Sequence, residues 1–414
     1  MAGTGDSLGQ GAASSRRLSR LGLPPMLEFA DVVVTASMSR SSPGVIWPDF
    51  ERQYHARHLW FGEPACTRPD LPEGPVAAEA GSAIFVAAAD DDFGHLVASV
   101  APRLPQSLAE GGARPLVFST RTPQTLASLP PAFRAVMFDW FAIPPERLRL
   151  IHRPTRFARL AIAAQGEHLG GPAPSDAYLA LLDGIAARHG IVPDPSGIAY
   201  VSRAGLAPWQ SALAGEEYLE ACLAGLGVRI LRPEALSLPE QVRAYAAASH
   251  LMFAEGSALH GRQLLGRVAQ DISVLVRRPG TRLAQAALLA RADSVEHVPA
   301  TSGSLHFLGQ DGKPWKHSTV ALLDLPAVFD HLEGLGLPIR RVWDEARHAA
   351  ARDARVLAWL RAIHAPSVPR WLRPHNPPAF FADQLQALGL GHLAPAALEI
   401  ATSGATAAPA PHAC

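Results

Sequence analysis

The feature that most constrains this chain is a regular alternation of short apolar strands and amphipathic helices between Ile198 and Val276. Ile198-Ala199-Tyr200-Val201 reads as a buried strand that stops at Ser202-Arg203. Leu219, Cys222, Leu223 and Leu226 then repeat at the spacing of one helical face, and Gly227 can end that helix in a left-handed conformation. Val228 to Leu231 forms the next strand, closed by Pro233. Ser237 and Glu240 have capping-box spacing and open a helix that buries Val242, Tyr245 and Ala246. Leu251 to Ala254 is a third strand, Glu255-Gly256-Ser257 turns the chain into a helix through Leu259 and Leu264, and Ile272 to Val276 is a fourth strand. Strands and helices of these lengths demand right-handed crossovers, hence an α/β class with a parallel sheet covered on both faces.

The first half repeats this grammar less regularly. Val32 to Val34, Ile84 to Ala89, Leu116 to Phe118, Leu148 to Ile151 and Leu160 to Ala163 are candidate strands. Leu96 to Leu108 and Pro131 to Phe141 are helical between them, the first made imperfect by Pro102 and Pro105. A chain of 414 residues exceeds one ordinary core. The expected division is a lead-in over 1–25, a first α/β domain over 26–170, a Rossmann-like domain over 171–300, a helical and loop extension over 301–402 and a frayed tail over 403–414. The Gly/Pro-rich stretch from Gly166 to Pro174 marks the boundary between the α/β domains. Two facing Rossmann-like domains leave a central cleft lined by the carboxyl ends of their strands.

Composition excludes several classes of function. Lysine plus arginine (37) balances aspartate plus glutamate (37), which argues against wholesale binding of nucleic acid or anionic lipid. No apolar run is long enough to span a bilayer, and Met1 to Pro25 lacks the apolar stretch of a secretory signal. Cys66, Cys222 and Cys414 are scattered and odd in number, which fits a reducing compartment rather than a disulfide framework. The expected location is cytoplasmic, with peripheral docking at the inner face of the membrane left open.

Chemistry should concentrate where strands end. Arg203 can grip a phosphate through two parallel hydrogen bonds and Ser202 can add a hydroxyl; alternatively Arg203 is a surface residue paired with Glu216 or Glu217. Gly256 permits close backbone approach, Ser257 can cap the following helix or donate to phosphate, and Glu255 can accept from a sugar hydroxyl. Two such turns in one parallel sheet point to a nucleotide.

Tyr200-Val201-Ser202-Arg203, Glu240-Gln241, Ala248 and Glu255-Gly256-Ser257-Ala258-Leu259-His260 together resemble the signature of the family 61 glycosyltransferases. Upstream, Phe93-Gly94-His95 followed by Pro102-Arg103-Leu104 resembles that family's other block. The resemblance covers about Asp90 to Val276. It implies a GT-B-like fold, metal-independent inverting transfer, no cofactor beyond a nucleotide-sugar co-substrate, and a glycan or polysaccharide acceptor, as in bacterial capsule synthesis. Ser202, Arg203, Gly256, Ser257 and His260 would then bind the donor, with Arg103 and Gln241 in support. Where the family has His-Gly-Ala and a later Asn, this chain has Glu255-Gly256-Ser257 and His260. A silent nucleotide-sugar or glycan-binding module of a polysaccharide assembly complex is therefore the alternative reading.

His95 follows Asp90-Asp91-Asp92 at a strand end and is the expected general base, with Asp92 and Glu255 as fallback carboxylates. Arg103 could support a leaving phosphate or hold Asp92. Asp90-x-Asp92 could instead hold magnesium or manganese against a diphosphate, although the repeated crossovers favour the metal-free fold and no metal ligand is assigned. HExxH, Gly-x-Ser-x-Gly and Gly-x-Gly-x-x-Gly are all absent, which removes support for a zinc protease, a serine hydrolase or a nicotinamide oxidoreductase.

Overall fold

The computed structural model describes residues 23–39, 42–52, 56–61, 63–64, 68, 70, 73–315, 318–377 and 379–406. Most of the expected lead-in, the end of the expected tail, Cys66 and Cys414 lie outside the described residues. Residues 403–406, assigned above to the tail, complete the helix Ala394–Thr406.

The alternating segment forms a five-stranded, wholly parallel sheet in the order Arg229–Leu231, Ile198–Val201, His250–Ala254, Asp271–Leu275, Ser294–Val298. Side chains of a strand point alternately to opposite faces, and here both faces are buried. Ala199, Val201, Leu251, Phe253, Ile272 and Val274 enter one apolar cluster. Tyr200, Met252, Ala254 and Leu275 enter another, against the helices Glu216–Gly225 and Leu325–Gly334. Gly227 does adopt a left-handed conformation, with φ +84°. Ser237 and Glu240 make the expected capping box at the start of Leu238–Ala246.

The first half builds a six-stranded sheet in the order Val45–Ile46, Leu27–Val34, Thr155–Ile162, Ala77–Ala88, Leu116–Ser119, Leu148–Ile151. The last four strands are parallel and Leu27–Val34 runs antiparallel to its neighbour, so this sheet is mixed. Its Ile84, Val86, Leu116 and Phe118 point into the same apolar cluster that receives Val201 and Phe253. The two sheets therefore share one continuous core, with the helices Asp176–Arg188 and Leu238–Ala246 packed into it.

The stretch read as one imperfect helix changes winding repeatedly. Phe93–His95 is α, Leu96–Val100 is π, Ala101–Arg103 is 3-10 and Leu104–Glu110 is α again. Pro102 and Pro105 have no N–H to donate, so uniform i to i−4 bonding cannot persist across them. The Gly166 to Pro174 stretch is anchored by Glu167, whose buried carboxylate meets Arg291 at 2.7 Å. Beyond the parallel sheet, Ala212–Ala214, Val320–Leu323 and Thr301–Leu305 form a small third sheet. It packs with the helices Glu345–His364 and Ala379–Ala387 around Phe307, Trp359 and Phe381.

Candidate functional site

Strand order dictates where a ligand can sit. From Ile198–Val201 the chain moves outward to Arg229–Leu231, then returns across the sheet to His250–Ala254. That reversal opens a crevice between the carboxyl ends of Ile198–Val201 and His250–Ala254, the place where open α/β sheets bind ligands. The turns leaving those two ends are Ser202-Arg203 and Glu255-Gly256-Ser257. In the first sheet Ala77–Ala88 stands at a similar reversal, and its carboxyl end leads into Asp90 to His95. Asp92, His95, Arg203, Gly256, Ser257 and His260 all line one cavity of about 710 Å³. The two sequence blocks meet there directly, since a Cβ on Gly94 would touch Cδ2 of His260 at 3.0 Å and Oγ of Ser257 at 3.2 Å.

Arg203 is half-buried, and its Nε and Nη2 donate to the Ser211 carbonyl at 3.3 and 3.0 Å. Its backbone N–H, rather than its guanidinium, bonds Glu216, at 2.8 Å. Oε1 of that buried carboxylate also accepts from the Tyr200 and Ser202 hydroxyls. Ser202 is thereby diverted from the expected role. Its hydroxyl donates to Glu216 and accepts from the N–H of Ala204, and the residue does not line the cavity.

Glu255 also departs from expectation. It is buried, and its carboxylate accepts from the backbone N–H groups of Arg277 and Arg278, from Nε and Nη2 of Arg278 and from the Thr281 hydroxyl. Burial by itself would raise its pKa, but the charge and hydrogen bonds of Arg278 outweigh that and hold it below the usual carboxylate value. An ionised carboxylate with its lone pairs so occupied is a poor base. It acts instead as a clasp on the loop that follows Asp271–Leu275.

That loop carries two residues the sequence reading missed. Arg277 and Arg278 both line the cavity beside Arg203. Nη1 of Arg277 donates to the Thr319 hydroxyl at 2.9 Å, while its Nε has no hydrogen-bond partner among the described residues. Burial, with Arg203 and Arg278 nearby, pulls the pKa of Arg277 down to about 9. Burial also lowers that of Arg203, opposed by Glu216 and reinforced by Arg278. Three crowded guanidinium groups form a wall prepared for a multiply charged anion. The available signal was their place immediately past a strand end.

Two histidines, His95 and His260, line the same cavity. Asp92 caps the short helix Phe93–His95, its Oδ1 accepting the His95 N–H at 3.0 Å, and buried Asp90 accepts the Asp92 N–H at 2.9 Å. Asp90 faces a smaller neighbouring pocket with Thr120 and Arg121. His260 is buried, and its Nδ1 lies 2.5 Å from Oε1 of Gln263. Ser257 is exposed to the cavity and makes no cap bond, because Gly256 is the N-cap and the run Ser257–Leu264 winds as a 3-10 helix.

Arg103 and Gln241 stand away from this cavity. Arg103 is buried, donating to the carbonyls of Ala163 and Arg57 and to Gln165. Gln241 donates to the Tyr245 hydroxyl at 2.7 Å, and a Cβ on Gly261 would touch its Nε2 at 2.8 Å. Each supports the backbone that carries the site. The remaining wall is aromatic. Trp209, Trp315 and Trp371 converge from distant segments, Trp371 lying 6.4 Å from Trp209 and 6.0 Å from Trp315 between ring centroids.

Among the described residues no three His, Cys, Asp or Glu side chains gather as a metal site, and no helix is long and apolar enough to cross a membrane. Residues 93–262 match the family model described as Glycosyltransferase 61, a segment that begins at Phe93 and ends two residues beyond His260. This match supports a glycosyl-transfer function. No curated protein matches the chain.

Proposed function

We propose that the protein transfers a glycosyl group from a nucleotide-sugar donor to a glycan hydroxyl, with inversion and without a metal ion. The observation that carries this reading is a single cavity lined by Arg203, Arg277 and Arg278 together with His95 and His260. The arginines neutralise the diphosphate as it leaves, the part that a divalent cation takes in other transferases. The acceptor oxygen attacks the anomeric carbon as the bond to the diphosphate oxygen breaks, and the acceptor proton passes to a histidine. One displacement of this kind inverts the anomeric centre. A pyranose ring of the acceptor stacks on the exposed indole of Trp371. The two sheets, with one site fed from strand carboxyl ends of both, support a GT-B-like arrangement. A place in surface-polysaccharide assembly on the cytoplasmic side completes the proposal.

Glu255 bears on the alternative of a silent binding module. Its departure from the family's histidine supplies a clasp for Arg278 and removes no group the transfer needs. The test is a thermal-shift screen of nucleotides and nucleotide sugars, followed by a transfer assay with the stabilising donor and a panel of glycans. Release of nucleoside diphosphate together with a glycosylated acceptor is expected. Stabilisation without turnover of any donor would establish a binding module instead.

A further inference from the structure

We infer that Gln263, backed by Glu167 and Arg291, locks the His260 ring with its proton on Nδ1 and its lone pair on Nε2, which makes His260 the group that receives the acceptor proton and Gln263 its positioning residue. The inference rests on the glycosyl-transfer reading above and specifies which histidine serves it.

The 3-10 winding of Ser257–Leu264 places residues three apart directly above one another. His260 and Gln263 are such a pair, and Nδ1 lies 2.5 Å from Oε1. The two ends of a glutamine amide are told apart by their partners. Here Nε2 donates to Oε2 of Glu167 at 3.1 Å. Glu167 can only accept, and its two oxygens are held by Nη1 and Nη2 of Arg291 at 2.9 and 2.7 Å. Turning the amide over would set its oxygen against a carboxylate oxygen. Oε1 therefore faces His260, and Nδ1 must be the donor. In a neutral imidazole the other nitrogen is then the acceptor.

Nε2 of His260 has no hydrogen-bond partner among the described residues, and the residue lines the cavity. The groups that face the ring are His95 and Asp92, on the turn whose Gly94 packs against it, and Glu167 behind Gln263. Burial lowers the His260 pKa, the Gln263 bond opposes this, and His95 lowers it further, so the ring is neutral at pH 7. An amide partner orients the ring without adding charge, and the charge of Glu167 is matched by Arg291. In the reaction the acceptor O–H bond breaks and its proton joins Nε2, while Nδ1–H remains on Gln263. The imidazolium returns that proton to water after product leaves.

The test uses the full chain with 15N-labelled histidine, the His260 signals being assigned with His260→Gln. The wild type should show the Nδ1–H tautomer, and Gln263→Met should move the ring toward the Nε2–H form preferred by free imidazole. In parallel, Gln263→Met should lower kcat by about tenfold or more and shift the acidic limb to lower pH, with donor KM unchanged and the fold confirmed by its melting curve. A wild-type ring protonated on Nε2, or a kcat and acidic limb unmoved in Gln263→Met, would overturn the inference. An Nδ1–H signal that disappears in Gln263→Met, in a chain that turns over no donor, upholds the ring orientation and overturns the transfer reading instead.

Discussion

A Cβ placed on Gly256 would stand 2.0 Å from Nη1 of Arg203. The backbone there is extended, with φ 173° and ψ −176°, so close approach rather than an unusual torsion requires glycine. The two turns are thus one device, in which the second strand end makes room for the cation of the first.

Gly256→Ala should keep the fold and displace the guanidinium. We expect nucleotide affinity to fall by roughly tenfold or more, about 1.5–3 kcal/mol, measured by calorimetry. Arg203→Ala should lose a similar amount. Unchanged affinity in either folded variant would remove Arg203 from the donor site.

Arg277 is held charged in crowded, buried surroundings, which sets up a trade between stability and binding. Its folded pKa of about 9 lies well below the ordinary arginine value. For a cation this means that the penalty is fully present at pH 7, and stability rises with pH only between those two values, where the unfolded chain binds more protons. Arg277→Leu should therefore raise the melting temperature of the ligand-free protein at neutral pH. It should also abolish most of the stabilisation produced by nucleoside diphosphate. A variant that loses stability and keeps the ligand response would contradict the anion wall.

Glu255→Gln removes the charge that clasps Arg278 and orphans part of its hydrogen bonding. A loss of about 2–4 kcal/mol in urea unfolding is expected at pH 7. The folded pKa of Glu255 is depressed, so its contribution is present above the unfolded carboxyl value and fades as pH falls from there through the folded one. Wild type and variant should converge in stability over that acid range. The acidic limb of the pH–rate profile should be the same in both, and its disappearance in Glu255→Gln would restore this residue as the base.

Trp371 is 54% exposed yet faces the cavity, as a stacking platform for a sugar ring would. Trp371→Ala should raise acceptor KM by roughly tenfold, equivalent to about 1–2 kcal/mol, and leave donor affinity unchanged. A donor affinity that drops instead would move the nucleobase onto this wall.

Chelation offers a direct check on how the leaving diphosphate is neutralised. With Arg203, Arg277 and Arg278 in that role, EDTA should leave turnover intact and Asp90→Asn should be mild. Turnover lost to chelator and restored by manganese would return Asp90 and Asp92 to the metal reading.

Local periodicity determined the strands from Ile198 to Leu275, the capping box at Ser237 and the left-handed Gly227, because each depends on residues only a few positions apart. Parallel crossovers then placed the turns at Arg203 and Gly256 at the sheet's ligand-binding edge, and the Phe93-Gly94-His95 block belongs to the same site. What side chains do at such an edge depends on neighbours supplied by other strands. Glu255 looks like an acid–base group until the next parallel strand brings Arg277, Arg278 and Thr281, 22 to 26 residues on, onto its oxygens. Ser202 faces inward because Glu216 lies beneath it, and Arg103 is buried because the carbonyls of Ala163 and Arg57 need a donor. Trp209, Trp315 and Trp371 carry no common spacing and meet only through the third sheet and the carboxyl-terminal helices. The tautomer of His260 is more remote still, set by a carboxylate 96 residues from Gln263 and an arginine 124 residues from that carboxylate. Strand polarity is written in nearby residues, whereas the protonation and direction of a buried polar group are decided by whatever the fold packs against it.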